Sequence, residues 1–434
     1  MRRWCNEAAA ATLDVQRHAR VALVARTPGP AVNPLFLSQF TLTTCLGRGL
    51  STNIAALRER RNGLTPCRFE TVELSTFVGE IHDVDGQRLP RALVAFDCRN
   101  NRLAQLGLEQ DDFAASVKRA ADTYGSHRIG VFIGTSTSGI LQAELAYRRR
   151  DKSTGRLPDD FKYESTQNSF SVSDFVRQWL GLAGPTASIS SACSSSAKAF
   201  GTAARMMEVG LIDAAVVGGV DSLCLTTLYG FTSLQLASAQ PCRPFDKDRD
   251  GISIGEAAAF FLLERPPAKP EMDAVMLLGI GESSDAYHMS SPHPDGLGAQ
   301  LAMKHALADA AMTPSHIDYI NLHGTGTRGN DQAEGRAVLT LFGDETRCSS
   351  TKGATGHTLG AAGGVEAAIC AIALRTEFMP AGLNTTELDP SIPLAYLLSD
   401  EGPAPSRVLS NSFGFGGTNC SLIFGRADSL IDHP

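Results

Sequence analysis

With 434 residues, 43% of them apolar and 20% charged, the chain has material for a large buried core and lacks the composition of a disordered polymer. A formal net charge of −7 excludes a general phosphate-neutralising surface, so no nucleic-acid partner is expected. Ten cysteines are too dilute for a disulfide framework and include no zinc-like spacing, which points to a reducing cytoplasm. No run of about 18 apolar residues stands out, and neither a membrane span nor a signal peptide is expected.

Residues 1–33 differ from the rest. Arg2, Arg3, Arg17, Arg20 and Arg26 outnumber Glu7 and Asp14, and the segment ends in TPGPAVNP. It reads as an appended disordered arm or an over-extended start, ahead of a transit peptide. LFLSQFTLTTCLG then has the β-branched and aromatic density of a strand, and GLSTNIAALRERRNG has helical spacing with Ser51 or Thr52 as N-cap. RIGVFIGTSTSGI, GPTASISSAC leading into SSSAKAFGTAARMMEVG, and DAAVVGGVDSL repeat the pattern of apolar strand and Ala-rich helix. Such alternation marks a layered α/β fold with its sheets covered on both faces.

The second half repeats the theme with AVMLLGIGESSD, a helix LGAQLAMKHALADAAM, the strand IDYINLHG and the segment CSSTKGATGHTLGAAGGVEAAICAIALRT. That last segment sets a strand end, a loop and a small-residue helix where the first half has ISSACSSSAKAFGTAARMM. A duplicated α/β unit is the reading, against two unrelated Ala-rich helices. Its halves would span 34–270, with the nucleophile and an insertion, and 271–427, followed by a tail over 428–434.

Cys193 lies where a strand ends and a small-residue helix begins. A thiol there meets free backbone N–H groups and the positive end of the helix dipole, which should lower its pKa. His323 in NLHGTGTRGND and His357 in TKGATGHTLGAAGG sit in Gly-rich turns after apolar strands, where α/β proteins build sites. Phe415, between Gly414 and Gly416, offers a backbone N–H that could join that of Cys193 in polarising a thioester carbonyl.

Together, Cys193 in SSACSSSAKAFG, His323 in HGTGT, Lys352 and His357 in KGATGHTLGAAG, and Phe415 in NSFGFGGTN resemble the motif set of the β-ketoacyl-acyl carrier protein synthases. PCRPFDKDRDGISIGEAAAFFLLE resembles another of that family's signatures, and the matches run from about residue 35 to 425. The resemblance implies a thiolase fold, a five-layered αβαβα body of two similar halves. It further implies an acyltransferase that holds an acyl group on Cys193 and condenses it with malonyl-carrier protein after decarboxylation. His323 and His357 would assist decarboxylation, Cys193 and Phe415 would form the oxyanion hole, and Lys352 would pair with Glu366. Thr325 and Thr327 would hold the pantetheine arm, Asp331 and Glu334 would form an acidic surround, and Phe231 and Leu359 would shape the acyl pocket.

No metal and no cofactor beyond the carrier's phosphopantetheine is implied. The partners implied are an acyl carrier protein and a second copy of the chain, or a related ketosynthase-like subunit. Carrier proteins are acidic, so Arg148, Arg149, Arg150 and Lys152, or Arg58, Arg60 and Arg61, are candidate docking patches. SSACSSS, GEAAAFF and GTSTSGI depart from the housekeeping fatty-acid enzymes and look more like synthases of secondary lipid or aryl polyene pathways. A degradative thiolase would need a second catalytic cysteine within the C-terminal Gly-rich motif, and here Cys420 lies beyond it. An initiating synthase would pair Cys with His and Asn. A silent chain-length-factor-like subunit would lack the nucleophile.

Overall fold

The computed structural model describes residues 33–400 and 402–430; the expected N-terminal arm, apart from Asn33, and the last four residues lie outside them. The apolar runs form the strands β1 (Leu35–Thr44), β2 (Ile129–Gly134), β3 (Thr186–Ile189), β4 (Ala214–Asp221), β5 (Ala257–Glu264), β6 (Val275–Ser284), β7 (Tyr319–Asn321), β8 (Arg347–Ser349), β9 (Arg407–Gly414) and β10 (Thr418–Arg426). Their hydrogen-bonded order is β8-β7-β9-β10-β6-β1-β5-β4-β2-β3. Counted from its own first strand, each half therefore runs third, second, fourth, fifth, first from the outer edge to the centre.

The pairing directions repeat as well. β2 is parallel to β3 and β4, whereas β4–β5 and β5–β1 are antiparallel. In the second half β7 is parallel to β8 and β9, whereas β9–β10 and β10–β6 are antiparallel. Within the sheet, among the described residues, the halves join through two residue pairs of β1 and β6, Leu35 with Leu277 and Phe36 with Met276.

Seven helices complete the layers. α1 (Arg99–Leu108), α2 (Phe113–Tyr124) and α3 (Phe170–Trp179) cover the outer face of the first half, where their apolar sides join β2, β4 and β5 in one core. α5 (Leu297–Asp309) lies on β6 and β10, and α6 (Arg328–Phe342) packs against α5. α4 (Ser195–Glu208) and α7 (Ala362–Thr376) fill the middle, each touching strands of both halves. The result is the five-layered, two-half thiolase fold.

Small residues make the middle layer possible. A Cβ on Gly363 of α7 would stand 2.7 Å from the Ala197 Cβ of α4, and one on Gly219 would stand 2.6 Å from the Ser196 Cβ. The Ser196 hydroxyl also accepts the Gly364 N–H at 2.8 Å, tying the two helices by a buried hydrogen bond.

Two sequence expectations change. The helix Leu50–Arg58 is capped by neither Ser51 nor Thr52: its N-cap is Gly49, and the Leu50 N–H donates at 3.0 Å to both oxygens of Asp111. A distant carboxylate thus satisfies the helix N-terminus. An apolar stretch long enough to cross a membrane does exist, Leu359–Thr376, but 89% of it is buried inside the fold. Its apolarity is used by the strands of both halves that pack around it.

Gly363→Val should force the central helices apart and lower stability by about 3 kcal/mol, the upper range for overpacking. Chemical denaturation of the variant, with its midpoint compared to wild type, checks this.

Candidate active site

Cys193 sits at the end of a tight turn between β3 and α4. Ala192 just before it has φ +54, a left-handed conformation rare for a residue with a Cβ, and Ser194 is the N-cap of α4. The serine run holds this turn: Ser191 N–H donates to Ser195 Oγ at 2.9 Å, and the hydroxyls of Ser194 and Ser195 donate to the carbonyls of Ser191 and Ala192. The thiol is 7% exposed.

His357 reaches it from the other half. Its backbone is held by its own N–H to the Ser253 carbonyl at 2.7 Å and by the Gly255 N–H to its carbonyl at 3.0 Å. The ring Nε2 lies 3.1 Å from the Cys193 Sγ, while Nδ1 accepts the Leu359 N–H at 3.3 Å. A ring nitrogen that accepts carries no hydrogen, so the proton of neutral His357 is on Nε2, facing the sulfur.

His323 follows β7, its ring 5.2 Å from that of His357 and nearly perpendicular to it. Its Nδ1 is 3.3 Å from the Lys352 Nζ, which also donates to the His323 carbonyl and is paired with Glu366. The ammonium can only donate, so the His323 hydrogen is on Nε2 as well. Glu334 accepts the N–H groups of His323 and Gly324 at 2.8 and 2.7 Å. Asp331 accepts those of Thr325 and Phe245 at 3.0 and 2.8 Å and pairs with Arg249. These two carboxylates therefore hold the HGTGT loop and do not themselves line the cavity described below.

Burial, and then the positive Lys352, holds both histidines well below the ordinary imidazole range, so both are neutral near pH 7. Burial also pushes Glu366 and Glu334 up to about 7. The expected lowering of the thiol does not occur: burial pushes Cys193 up to about 11, although Lys352 and the Phe415 N–H bonded to the sulfur oppose it. Desolvation outweighs the dipole because the side chain is enclosed.

A cavity of 480 Å³ is lined by the buried Cys193, His323, His357 and Thr325, the half-buried Thr327 and the exposed Arg328. The Thr325 and Thr327 hydroxyls are 2.9 Å apart, and Thr327 caps α6. Phe231 lines the cavity, its ring 5.6 Å from that of Phe415. Leu359 does not: at φ +52 it is buried behind the wall, in the cluster of Leu225, Leu228 and Ile252 against which Phe231 packs. Neither basic patch lines the cavity. Arg148 donates to Thr71, Arg149 pairs with Asp160, and Arg58 and Arg60 donate to the carbonyls of Thr376 and Leu398.

Sequence reasoning missed Asp221. This fully buried carboxylate at the end of β4 accepts the Thr135 and Thr137 hydroxyls at 2.7 and 2.8 Å. It also accepts the N–H groups of Ser136, Thr137 and Gly360 at 2.8, 2.9 and 2.6 Å. It joins the loop after β2 to the turn that follows His357, and Ser136 in turn donates to the Ala192 carbonyl at 3.4 Å. The only signal was an acid closing an apolar strand in VGGVDSL.

The ligand atoms of Cys193, His323 and His357 lie within 4.8 Å of one another, close enough for one metal ion. The donor chemistry fits poorly, because both Nε2 atoms carry hydrogens and the Lys352 ammonium stands beside them. The same set, with the Phe415 N–H, suits a cysteine nucleophile and a developing oxyanion, on the thiolase fold.

Comparison with known proteins narrows the class. Profiles of the β-ketoacyl synthase N-terminal and C-terminal domains match residues 41–268 and 274–386. The chain belongs to the β-ketoacyl synthase family. It is 32% identical over 409 residues to the 3-oxoacyl-[acyl-carrier-protein] synthase 2 of Vibrio cholerae, covering 88% of this chain and 96% of that one. It is 37% identical over 316 residues to the mitochondrial 3-oxoacyl-[acyl-carrier-protein] synthase of Arabidopsis thaliana, covering 68% of each. A solved complex of a ketosynthase with its chain length factor from Xenorhabdus doucetiae contains a chain 36% identical, with TM-score 0.81 over 91% of this chain and 98% of that one. A β-ketoacyl synthase from Burkholderia phymatum superposes with TM-score 0.79 at 29% identity, over 91% of this chain and 100% of that one.

Two measurements test the site. Alkylation of Cys193 by iodoacetamide should rise about tenfold per pH unit from pH 7 to 10, since the thiolate fraction grows that way below the pKa; a plateau already reached at pH 7 would contradict a raised thiol pKa. Asp221→Asn turns an amide NH₂ toward buried N–H donors and should cost about 2 kcal/mol in thermal unfolding.

Proposed function

We propose that this chain is an elongating β-ketoacyl-acyl carrier protein synthase, with Cys193 as the acyl carrier. The observation that carries the reading is the Cys193 Sγ–His357 Nε2 contact of 3.1 Å beside the second neutral imidazole, His323. In the first step the Cys193 sulfur attacks an acyl-pantetheine thioester. The pantetheine thiol departs with the proton, leaving the acyl group on Cys193. The N–H groups of Cys193 and Phe415 hold the tetrahedral oxyanion.

In the second step malonyl-pantetheine enters. Its carboxylate leaves as CO₂, and the thioester oxygen takes up enolate charge opposite the Nε2–H donors of His323 and His357. The enolate carbon attacks the acyl-Cys193 carbonyl, the bond between the acyl carbon and the Cys193 Sγ breaks, and the released thiolate takes a proton from solvent. Neutral imidazoles serve here because they can donate without carrying a charge that would hold the malonyl carboxylate in place. Lys352, anchored by Glu366, fixes the His323 tautomer, and Thr325 and Thr327 receive the arm's amides. Phe231 borders the acyl chain, while Leu359 acts only by shaping the turn after His357. Residues 34–270 and 271–427 are the two catalytic halves.

The substrates ride on the phosphopantetheine of an acyl carrier protein, the chemistry as written needs no other cofactor, and the free cysteines fit a cytoplasmic setting. The half-buried strand β3, at the end of the sheet, is suited to pairing with a second copy. A second assembly, with a chain-length-factor-like subunit, is favoured by two structural relatives solved as ketosynthase and chain length factor. Native mass spectrometry of the chain expressed alone separates them: a homodimer supports the first, a monomer the second.

Incubation with an acyl-carrier protein should give an acyl adduct on Cys193 by intact mass, absent in Cys193→Ala. No adduct, alone or with a partner subunit, would sink the reading. His323→Ala should still accept the acyl group yet lose malonyl decarboxylation by about a hundredfold.

A further inference from the structure

The cavity that ends at Cys193 is lined by two positively charged side chains, Arg249 and Arg328. Arg249 is fully buried and pairs with Asp389 at 2.7 Å and Asp331 at 3.4 Å. Nearby, Arg243 pairs with Asp250 and Lys247 with Glu387. Arg328 differs. It is exposed, its guanidinium donates weakly to the Lys247 carbonyl at 3.5 Å, and among the described residues no carboxylate pairs with it.

Two further observations point to a ligand there. The buried Nη2 of Arg249 has no hydrogen-bond partner, leaving a donor unused in the wall of the same cavity. A Cβ on Gly329, the next residue of α6, would meet nothing within 4 Å, so there is room beside the backbone for a bulky group. The carboxylates of the lining are already engaged: Asp250 by the Ser238 hydroxyl, Asp285 by the Asn419 amide and the His293 N–H.

We infer that Arg328 forms a phosphate site at the mouth of the cavity, taking the phosphate at the far end of the pantetheine arm whose thioester reaches Cys193. This rests on the acyl-carrier reading above. A thioester anchored at the floor must send its phosphate out through the mouth. An exposed guanidinium with no counter-charge, at the first turn of a 15-residue helix, is the complementary group.

The test compares acyl-phosphopantetheine with acyl-pantetheine as donors for single-turnover acylation of Cys193, read by intact mass. Wild type should favour the phosphorylated donor on the order of tenfold, and less as ionic strength rises. Arg328→Ala should abolish that preference, and Arg328→Lys should retain part of it. A preference that survives in Arg328→Ala, or is absent from wild type, overturns the phosphate site alone. Failure of both donors to label Cys193 overturns the acyl-carrier reading beneath it.

Discussion

The approach of α4 to α7 at the centre of the molecule governs almost everything else. Both helices start at the same end of the central layer, and each is preceded by a loop that carries chemistry, Cys193 before α4 and His357 before α7. Because Gly363 lies against Ala197 with no room for a further carbon, the two loops are held at one separation. Two side chains 164 positions apart thereby come to 3.1 Å. In an interior packed to this density, a wider helix spacing would move the imidazole away from the sulfur rather than flex around it.

The charges around that contact follow from its burial. Removing imidazole from water disfavours the cation, and a nearby ammonium disfavours it further, so both histidines become neutral donors. The ammonium is tolerated because Glu366 lies directly against it. Three other buried acids, Glu334, Asp331 and Asp221, are occupied with backbone N–H groups of the Gly-rich loops. Glycine and small residues let the loops bend tightly around a substrate, and the carboxylates supply the rigidity those residues lack.

Legibility in the sequence depended on whether a segment's pattern matched its burial. Strand β1 reads clearly from its β-branched and aromatic density, and helix α5 from its run of Ala, Leu and Met. Strand β5 lies inside the PCRPFDKDRDGISIGEAAAFFLLE signature and carries no strand pattern of its own, since all of AAAFFLLE but the final Glu264 is buried and nothing alternates. α1 resists periodicity for the opposite reason: Arg99, Asn100, Asn101 and Gln105 are buried polar residues, and Arg99 is stabilised there by Glu256 and Asp85, both remote in sequence. Asp221 was invisible because its five donors come from two segments remote from it in sequence, residues 135–137 and Gly360.

By itself the sequence determined the duplicated α/β plan and the small-residue central helices, and it singled out Cys193, His323, His357, Lys352 and Phe415, which the fold brings together, since these rest on residue type and local order. The tertiary structure alone decided the protonation states, the tautomers and which residues line the cavity. It raised the Cys193 thiol where a helix start suggested the reverse, removed Leu359 from the cavity wall and revealed Asp221 as the tie between loops. Desolvation and hydrogen bonding depend on what surrounds a group in three dimensions, and no local pattern of residues contains that.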